Sequence, residues 1–418
     1  MSTRIKLIIL LILYVIFGGA ISIILKFIYN QQSEGRHFYH DLFITQLMFL
    51  SEIFGLPAYY IKNHISRKYS KKENEEEISK DKSSTQENTL KELSNKKKFL
   101  IILFACFLDF LACFLSDLAL AFVGGSFAIF LKSLILVQLI FLLSWCKTKK
   151  KPIIDQRIGF FFAWVTIIII CLSVFYGEKD NNEDKDFTGF IISFFMVFFA
   201  MFFQSIQSII EENITRNYII HQFYIIGFEG IFGFCINLFF CIIFYNIKCD
   251  VVKGESKYLE KICNEDDEGI WRLENALFAL RQIFAKTSLI ALIIVLIIIR
   301  FLYNLITISI IKYGGALTRG LIENIRTIVF WVFFIIPWVS EDYRESFNWL
   351  RFFGAILIIL ILLLYLAVFK IDECLTIRSK IINIANLGRI TRESNKVEIN
   401  SEDDKEDTLN ELEETPFF

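Results

Sequence analysis

Residues 5–27 read IKLIILLILYVIFGGAISIILKF, and apolar runs of this length recur along the whole chain. About 20 apolar residues coiled as a helix span the ~30 Å hydrocarbon core of a bilayer. With 55% hydrophobic residues and 46 phenylalanines, the chain carries more apolar surface than a soluble domain can hide. The expected fold class is therefore all-α, a polytopic membrane protein. The first run is too long for the apolar segment of a signal peptide, and no small-residue cleavage site follows it. It is read as an uncleaved first span.

Hydropathy places ten spans, near 7–29, 39–61, 99–121, 125–145, 155–176, 188–211, 222–246, 288–311, 316–338 and 350–369. An even number puts both termini on one side, and the positive-inside rule makes that side cytosolic. Arg4 and Lys6 precede the first span, RKYSKK and NKKK fall in loop 62–98, and KTKKK lies in loop 146–154. The opposite loops, GEKDNNEDKDF and SEDYRES, are acidic or mixed. Loop 62–98 and an acidic tail from about 393 are expected to be disordered cytosolic segments and places for trafficking adaptors to dock. Residues 371–388 are read as a short surface helix.

Loop 247–287 is the one long loop expected on the lumenal side. Within it Leu273, Leu277, Leu280 and Phe284 recur every three or four residues, which suits an amphipathic helix at the bilayer surface. Cys249 and Cys263 share this loop on the side where disulfides persist, and they are expected to pair rather than remain as free thiols. The other seven cysteines are read as small apolar packers. Asn213-Ile-Thr215 matches a glycosylation acceptor but falls on the cytosolic side, so it is read as chance.

The sequence repeats itself at an offset of five spans. Glu52 and Glu229 each stand just before Ile-Phe-Gly. GGSFAIFLKSL opens the fourth span and GGALTRGLIENIR the ninth, each with a Gly-Gly pair followed by cations. DQRIGFFFAW in the fifth is matched by NWLRFFGAIL in the tenth. Because five is odd, the halves, 1–176 and 188–369 with 370–418 as tail, are expected to lie inverted in the membrane. That is the architecture of many secondary transporters, with the solute site near the midplane between repeats.

At IIEENITRNYIIHQFYIIGFEGIFGF (209–234) and GGALTRGLIENIRTIVFW (314–331) the chain resembles the drug/metabolite transporter superfamily. More narrowly, it resembles solute carrier family 35 (nucleotide-sugar-transporter-like), subfamily F. HFYHDLFITQLMFLSEIFG, FLDFLACFLSDLAL and LENALFALRQ add to the likeness. The layout of ten spans, with a cysteine-bearing loop between the seventh and eighth, also resembles that of chloroquine-resistance-transporter relatives. The resemblance implies a ten-helix solute carrier in an internal membrane. Lys132 stands where such relatives tend to have arginine, and an ammonium does not grip a planar anion as a guanidinium does.

An ionisable group in a span costs about 2.5–3.5 kcal/mol to insert, so it faces the bundle interior, pairs or snorkels. Arg319, Glu323 and Arg326 fall on one face of the ninth span, where Glu323 can pair with either arginine. Arg326 is the deeper of the two, whereas Arg319 either lines the bundle or reaches for the cytosolic surface. Arg326, Glu323, Lys132, Asp109, Asn304 and Gln204 are the candidate substrate-binding residues. Glu52 and Glu229 are candidate coupling carboxylates, or else a static ion pair with Lys132 and Arg326. Asp117 is read as solvated near its span's end.

No HExxH, P-loop, GxSxG or intramembrane-protease aspartate pair is present, so no enzyme, metal or cofactor is expected. A net charge of −1 offers no field for nucleic acid. The expected function is secondary-active transport of a small polar organic solute, anionic or zwitterionic, by alternating access with or without proton coupling. The alternative is a non-transporting membrane scaffold or receptor retaining the fold. A lysosome- or vacuole-like membrane is the first expected location and the Golgi the second.

Overall fold

The computed structural model describes residues 3–76, 94–122, 125–148, 153–176, 187–218, 220–249, 263–265, 269–335 and 348–365. Over these residues the chain is all-α apart from two small hairpins. The helices are α1 (Thr3–Tyr29), α2 (Asp41–Ile53), α3 (Gly55–Glu76), α4 (Asn95–Phe122), α5 (Gly125–Thr148), α6 (Ile154–Tyr176), α7 (Phe187–Asn217), α8 (Gln222–Asn246), α9 (Ala276–Ala285), α10 (Thr287–Gly314), α11 (Ala316–Ile335) and α12 (Trp349–Tyr365). β1 (Gln32–Ser33) pairs antiparallel with β2 (Arg36–His37), and β3 (Asn264–Glu265) with β4 (Trp271–Arg272).

Among the described residues, eight helices are long and apolar enough to cross a membrane, α2 and α3 counting as one over Asp41–Ser66. The sequence placed ten. The two that fall short are α11, which carries Arg319, Glu323 and Arg326, and α12, described over 17 residues. The polar segment from 62, expected to be disordered, is helical as far as Glu76. Loop residues 77–93, the surface-helix segment 371–388, and the acidic tail lie outside the described residues.

The break between α2 and α3 falls at Phe54, where Pro57 has no N–H to offer the carbonyl of Ile53. Across this break α2 and α3 pack closely on α8. Gly227, Gly230 and Gly233 of α8 present bare backbone to Leu56, Ile53 and Phe49. A Cβ on Gly230 would stand 2.5 Å from the Ile53 nitrogen. Small residues at such spacing are how helices approach in lipid, where association rests on packing and hydrogen bonds rather than water exclusion. Asn237 completes the joint by donating to the Leu42 carbonyl at 2.9 Å.

Contact clustering divides the chain into two compact units. The first, Met1–Lys150 with Phe162–Ile359, holds nearly all the helices. In it α1 packs on α10 and α11, α4 on α7 and α8, α5 on α7 and α11, and α2 on α8 and α10. Tyr14, Ile21, Ile28, Leu289, Ile293, Leu296 and Tyr303 form the core between α1 and α10. Ile5, Ile8, Ile12 and Ile16 form an exposed apolar stripe on the outer face of α1, as a lipid-facing helix requires. The second unit, Lys151–Phe161 with Leu360–Phe418, pairs the start of α6 with the end of α12 where Gly159 meets Leu364.

At one end of the first unit, Cys249 and Cys263 form a disulfide. Beside it Trp271 accepts from the Cys249 N–H at 2.8 Å. The α9 helix lies here with Leu277 and Phe284 exposed, and Ser33 and Gln282 exchange hydrogen bonds between the first hairpin and α9. His40 and Glu274, both buried, meet at 2.8 Å. The other end is closed differently. Gly315, between α10 and α11, takes φ +94° and donates to the Ile311 carbonyl at 2.9 Å. Glu212 of α7 pairs with Arg216 at 2.8 Å and accepts from the Ala316 N–H at 3.3 Å.

Candidate functional site: a charged cavity in the helix bundle

A cavity of about 960 Å³ lies inside the first unit, bounded by α1, α2, α4, α5, α7, α8, α10 and α11. It runs from Cys263, Leu273 and Glu274 by the disulfide to Glu211 and Arg319 deep in the bundle. All the candidate substrate-binding residues, Arg326, Glu323, Lys132, Asp109, Asn304 and Gln204, line it, as do Glu52 and Glu229. Among the described residues eight carboxylates and five cationic side chains face it, so its lining is acidic if all are ionised.

The charges sort into groups by their partners. Arg326 pairs with Glu323 one turn away on α11. Tyr14 of α1 donates to Glu323 Oε2 at 2.6 Å, and Tyr303 of α10 donates to Tyr14 at 2.7 Å. Arg326 Nη1 in turn donates to the Tyr303 hydroxyl at 3.3 Å, with its guanidinium 5.7 Å from that ring's centre. This closed circuit ties α1, α10 and α11 together and satisfies both members of the ion pair. Gly18 makes room for it, because the Arg326 stem lies where a Cβ on Gly18 would be.

Arg319 does not reach for the surface. It is buried in the cavity, where Nη1 donates to Ser208 at 2.7 Å and stands 3.9 Å from Glu211. Gln207 donates to the other oxygen of Glu211 at 2.7 Å. The reason is the Gly315 turn: it starts α11 beside α7, so the first turn of α11 faces the polar stripe of Gln204, Gln207, Ser208 and Glu211. Asp117 likewise lines the cavity and accepts from Thr45 at 3.1 Å, instead of standing free in solvent.

A third group holds fewer bonds. Asn304 donates to Glu52 at 2.6 Å. One oxygen of Glu229 is buried without a hydrogen-bond partner. Glu52 and Glu229 make no ion pair with Lys132 or Arg326 among the described residues. Arg319, Lys132 and Arg300 all act on the Asp109 carboxylate through space. Arg300 did not emerge from the sequence reading, because it is a single charge in a long apolar run. Asp109 in α4 and Arg300 in α10 are each followed by Phe-Leu, but this dipeptide is too short a signal in apolar segments. Tyr14 and Tyr303 were also missed, since a tyrosine in an apolar run reads as packing.

Fold and site together define an all-α protein with, among the described residues, eight membrane-length apolar helices and a charged cavity lined by the bundle. No family model matches the chain, and no curated protein matches it. A solved structure described as "Crystal structure of protein" superposes with a TM-score of 0.49 at 11% identity, over 87% of this chain and 97% of that one. A likeness at that level carries no argument about function.

Proposed function

We propose that the chain is a secondary transporter that moves a small polar organic solute through this cavity by alternating access. The observation that carries the reading is a large polar cavity, walled by apolar helices, in which charges of both signs remain incompletely paired. Such groups are expensive inside a membrane and mark solute or ion paths. Because carboxylates outnumber cations in the lining, a zwitterionic solute suits it better than a purely anionic one.

An arrangement of ten spans as two inverted five-helix repeats is part of the proposal. Its support is the packing list. Exchanging each helix for its counterpart turns the α4–α7 contact into α10–α1, α5–α7 into α11–α1, and α4–α8 into α10–α2, all of which occur. The α2–α8 and α5–α11 contacts map onto themselves. The segments that resemble solute carrier family 35 agree with this arrangement, as do the basic loops that set both termini in the cytosol. An internal membrane of lysosomal or vacuolar type is the proposed location. Glu52 and Glu229, held by few partners, are the proposed proton carriers.

The test is uptake into liposomes bearing the purified chain, with and without an inward pH gradient. Saturable uptake of amino acids, short peptides or nucleotide sugars, accelerated by the gradient and lost in Glu229→Gln, is expected. Uptake no faster than empty liposomes for every class sinks the reading and favours a scaffold that keeps the fold.

A further inference from the structure

We infer that Asp109 and Arg300 are the two poles of the solute site, Asp109 taking a cationic group and Arg300 an anionic group of one zwitterionic solute. This assignment rests on the transport reading above for its biological meaning, but it makes its own claim about binding.

The argument begins with elimination among the cavity's arginines. Arg326 is committed to Glu323 and Tyr303. Arg319 is committed to Ser208, with Glu211 beyond it. Arg300 makes no hydrogen bond and no ion pair among the described residues, and its Nε is buried without an acceptor. A guanidinium offers five donors in a planar fork that matches a carboxylate or phosphate. Leaving Nε buried and unmet is costly, and although Arg319 Nε is unmet too, only Arg300 has no partner at its Nη atoms either, so its side chain is placed for an acceptor that the described residues do not provide.

Asp109 is its counterpart. It lines the same cavity, and among the described residues no cation lies within ion-pair distance of it. Arg300 and Asp109 feel each other across the cavity without touching. A group of each sign therefore faces the same space, with no ion pair between the two. Asp109 lies on α4 and Arg300 on α10, helices that are counterparts in the proposed repeat, and each is followed by Phe-Leu. With one pole of each sign, a solute with unlike ends can enter in only one sense.

Lys132 is the nearest rival for the cationic pole. It acts on both Asp109 and Asp117, and its ammonium is a point charge without the fork.

The experiment is a thermal-unfolding titration of the full chain in detergent with glycine, β-alanine, 4-aminobutyrate and 5-aminopentanoate. Propylamine, propionate, putrescine and succinate are the controls. One member of the amino-acid series is expected to raise the midpoint most, and the controls to raise it far less. Arg300→Gln and Asp109→Asn should each weaken that binding about tenfold or more. The exchange Asp109→Arg with Arg300→Asp should restore much of it. Putrescine equal to the best amino acid would overturn the assignment, as would unchanged binding in Arg300→Gln. A series with no stabilising member would overturn it too.

Should Arg300→Gln fail to fold, Cys113 decides in the unaltered chain. It lies one turn beyond Asp109 and lines the same cavity. The best amino acid must slow its modification by a small methanethiosulfonate, and absence of protection sinks the idea. Binding with this pattern but without saturable uptake would defeat the transport reading and leave the two poles standing. Uptake unaffected by Arg300→Gln would do the reverse.

Discussion

Gly18 of α1 lies against the aliphatic stem of Arg326 of α11, so close that a methyl group on the glycine would overlap the arginine Cδ. The same methyl would reach within 3.0 Å of the Tyr303 ring. Gly18→Ala therefore pushes Arg326 away from Glu323 and strains the circuit through Tyr14. Overpacking of this kind costs about 1–3 kcal/mol. The neighbouring Gly19 has nothing within 4 Å of the same position, so Gly19→Ala should be close to neutral. Thermal unfolding of both variants in detergent checks the contrast, and equal midpoints for the two would refute it.

Gly315 needs its lack of a side chain for two reasons. Its φ of +94° belongs to glycine, and a Cβ there would stand 3.0 Å from both Arg216 Nη2 and Glu212 Oε1. Gly315→Ala should destabilise the protein by about 1–3 kcal/mol. A stability loss below a few tenths of that, measured by chemical denaturation, would show that the turn relaxes freely.

The disulfide between Cys249 and Cys263 closes a loop with a sequence separation of 14. Chain-entropy arguments give a loop of this size about 3 kcal/mol of stabilisation. Cys249→Ser with Cys263→Ser, or treatment with a reductant, should lower the unfolding midpoint by several degrees. Non-reducing peptide mapping that recovers the two thiols free in the native protein would remove the basis for this expectation.

His221 caps α8, accepting from the Phe223 N–H at 3.2 Å, while its other ring nitrogen is 2.8 Å from Lys62 Nζ. A neutral imidazole has one acceptor nitrogen, so these two donors compete, and a protonated ring can serve neither. Burial first, then the ammoniums of Lys62 and Lys312, hold His221 below the usual imidazole range. With the folded value depressed, the unfolded chain takes up its proton first as pH falls through about 6.5. Stability is thus unaffected above that point and declines below it until the folded ring also protonates. Midpoints at pH 8 and pH 5.5 should differ less in Lys62→Ala than in the unaltered chain. An equal difference would exclude Lys62 as a cause.

Much of the cavity was legible because charges are rare in apolar runs. Glu52, Glu229, Asp109 and Lys132 stand out on inspection, and each lines the cavity. Their partners were less visible. The depth of Arg319 could not be judged from its distance along the helix, because the Gly315 turn, not the sequence position, sets which neighbour the first turn of α11 meets. Arg300 lies away from the motif matches at Ile-Phe-Gly and Gly-Gly, and a lone charge in an apolar run does not show which neighbours it meets. The length of α3 was hidden for a different reason. A charged segment leaving a membrane looks alike as helix or coil in composition.

Glu212 joins the last turn of α7 to the first N–H of α11, with Arg216 holding it in place. One carboxylate thus fastens two helices that belong to different contact pairs, α7 with α4 and α11 with α1. Tilting either helix at this end pulls on the other. Separating the two helices at this end therefore requires Glu212 to give up the Ala316 N–H.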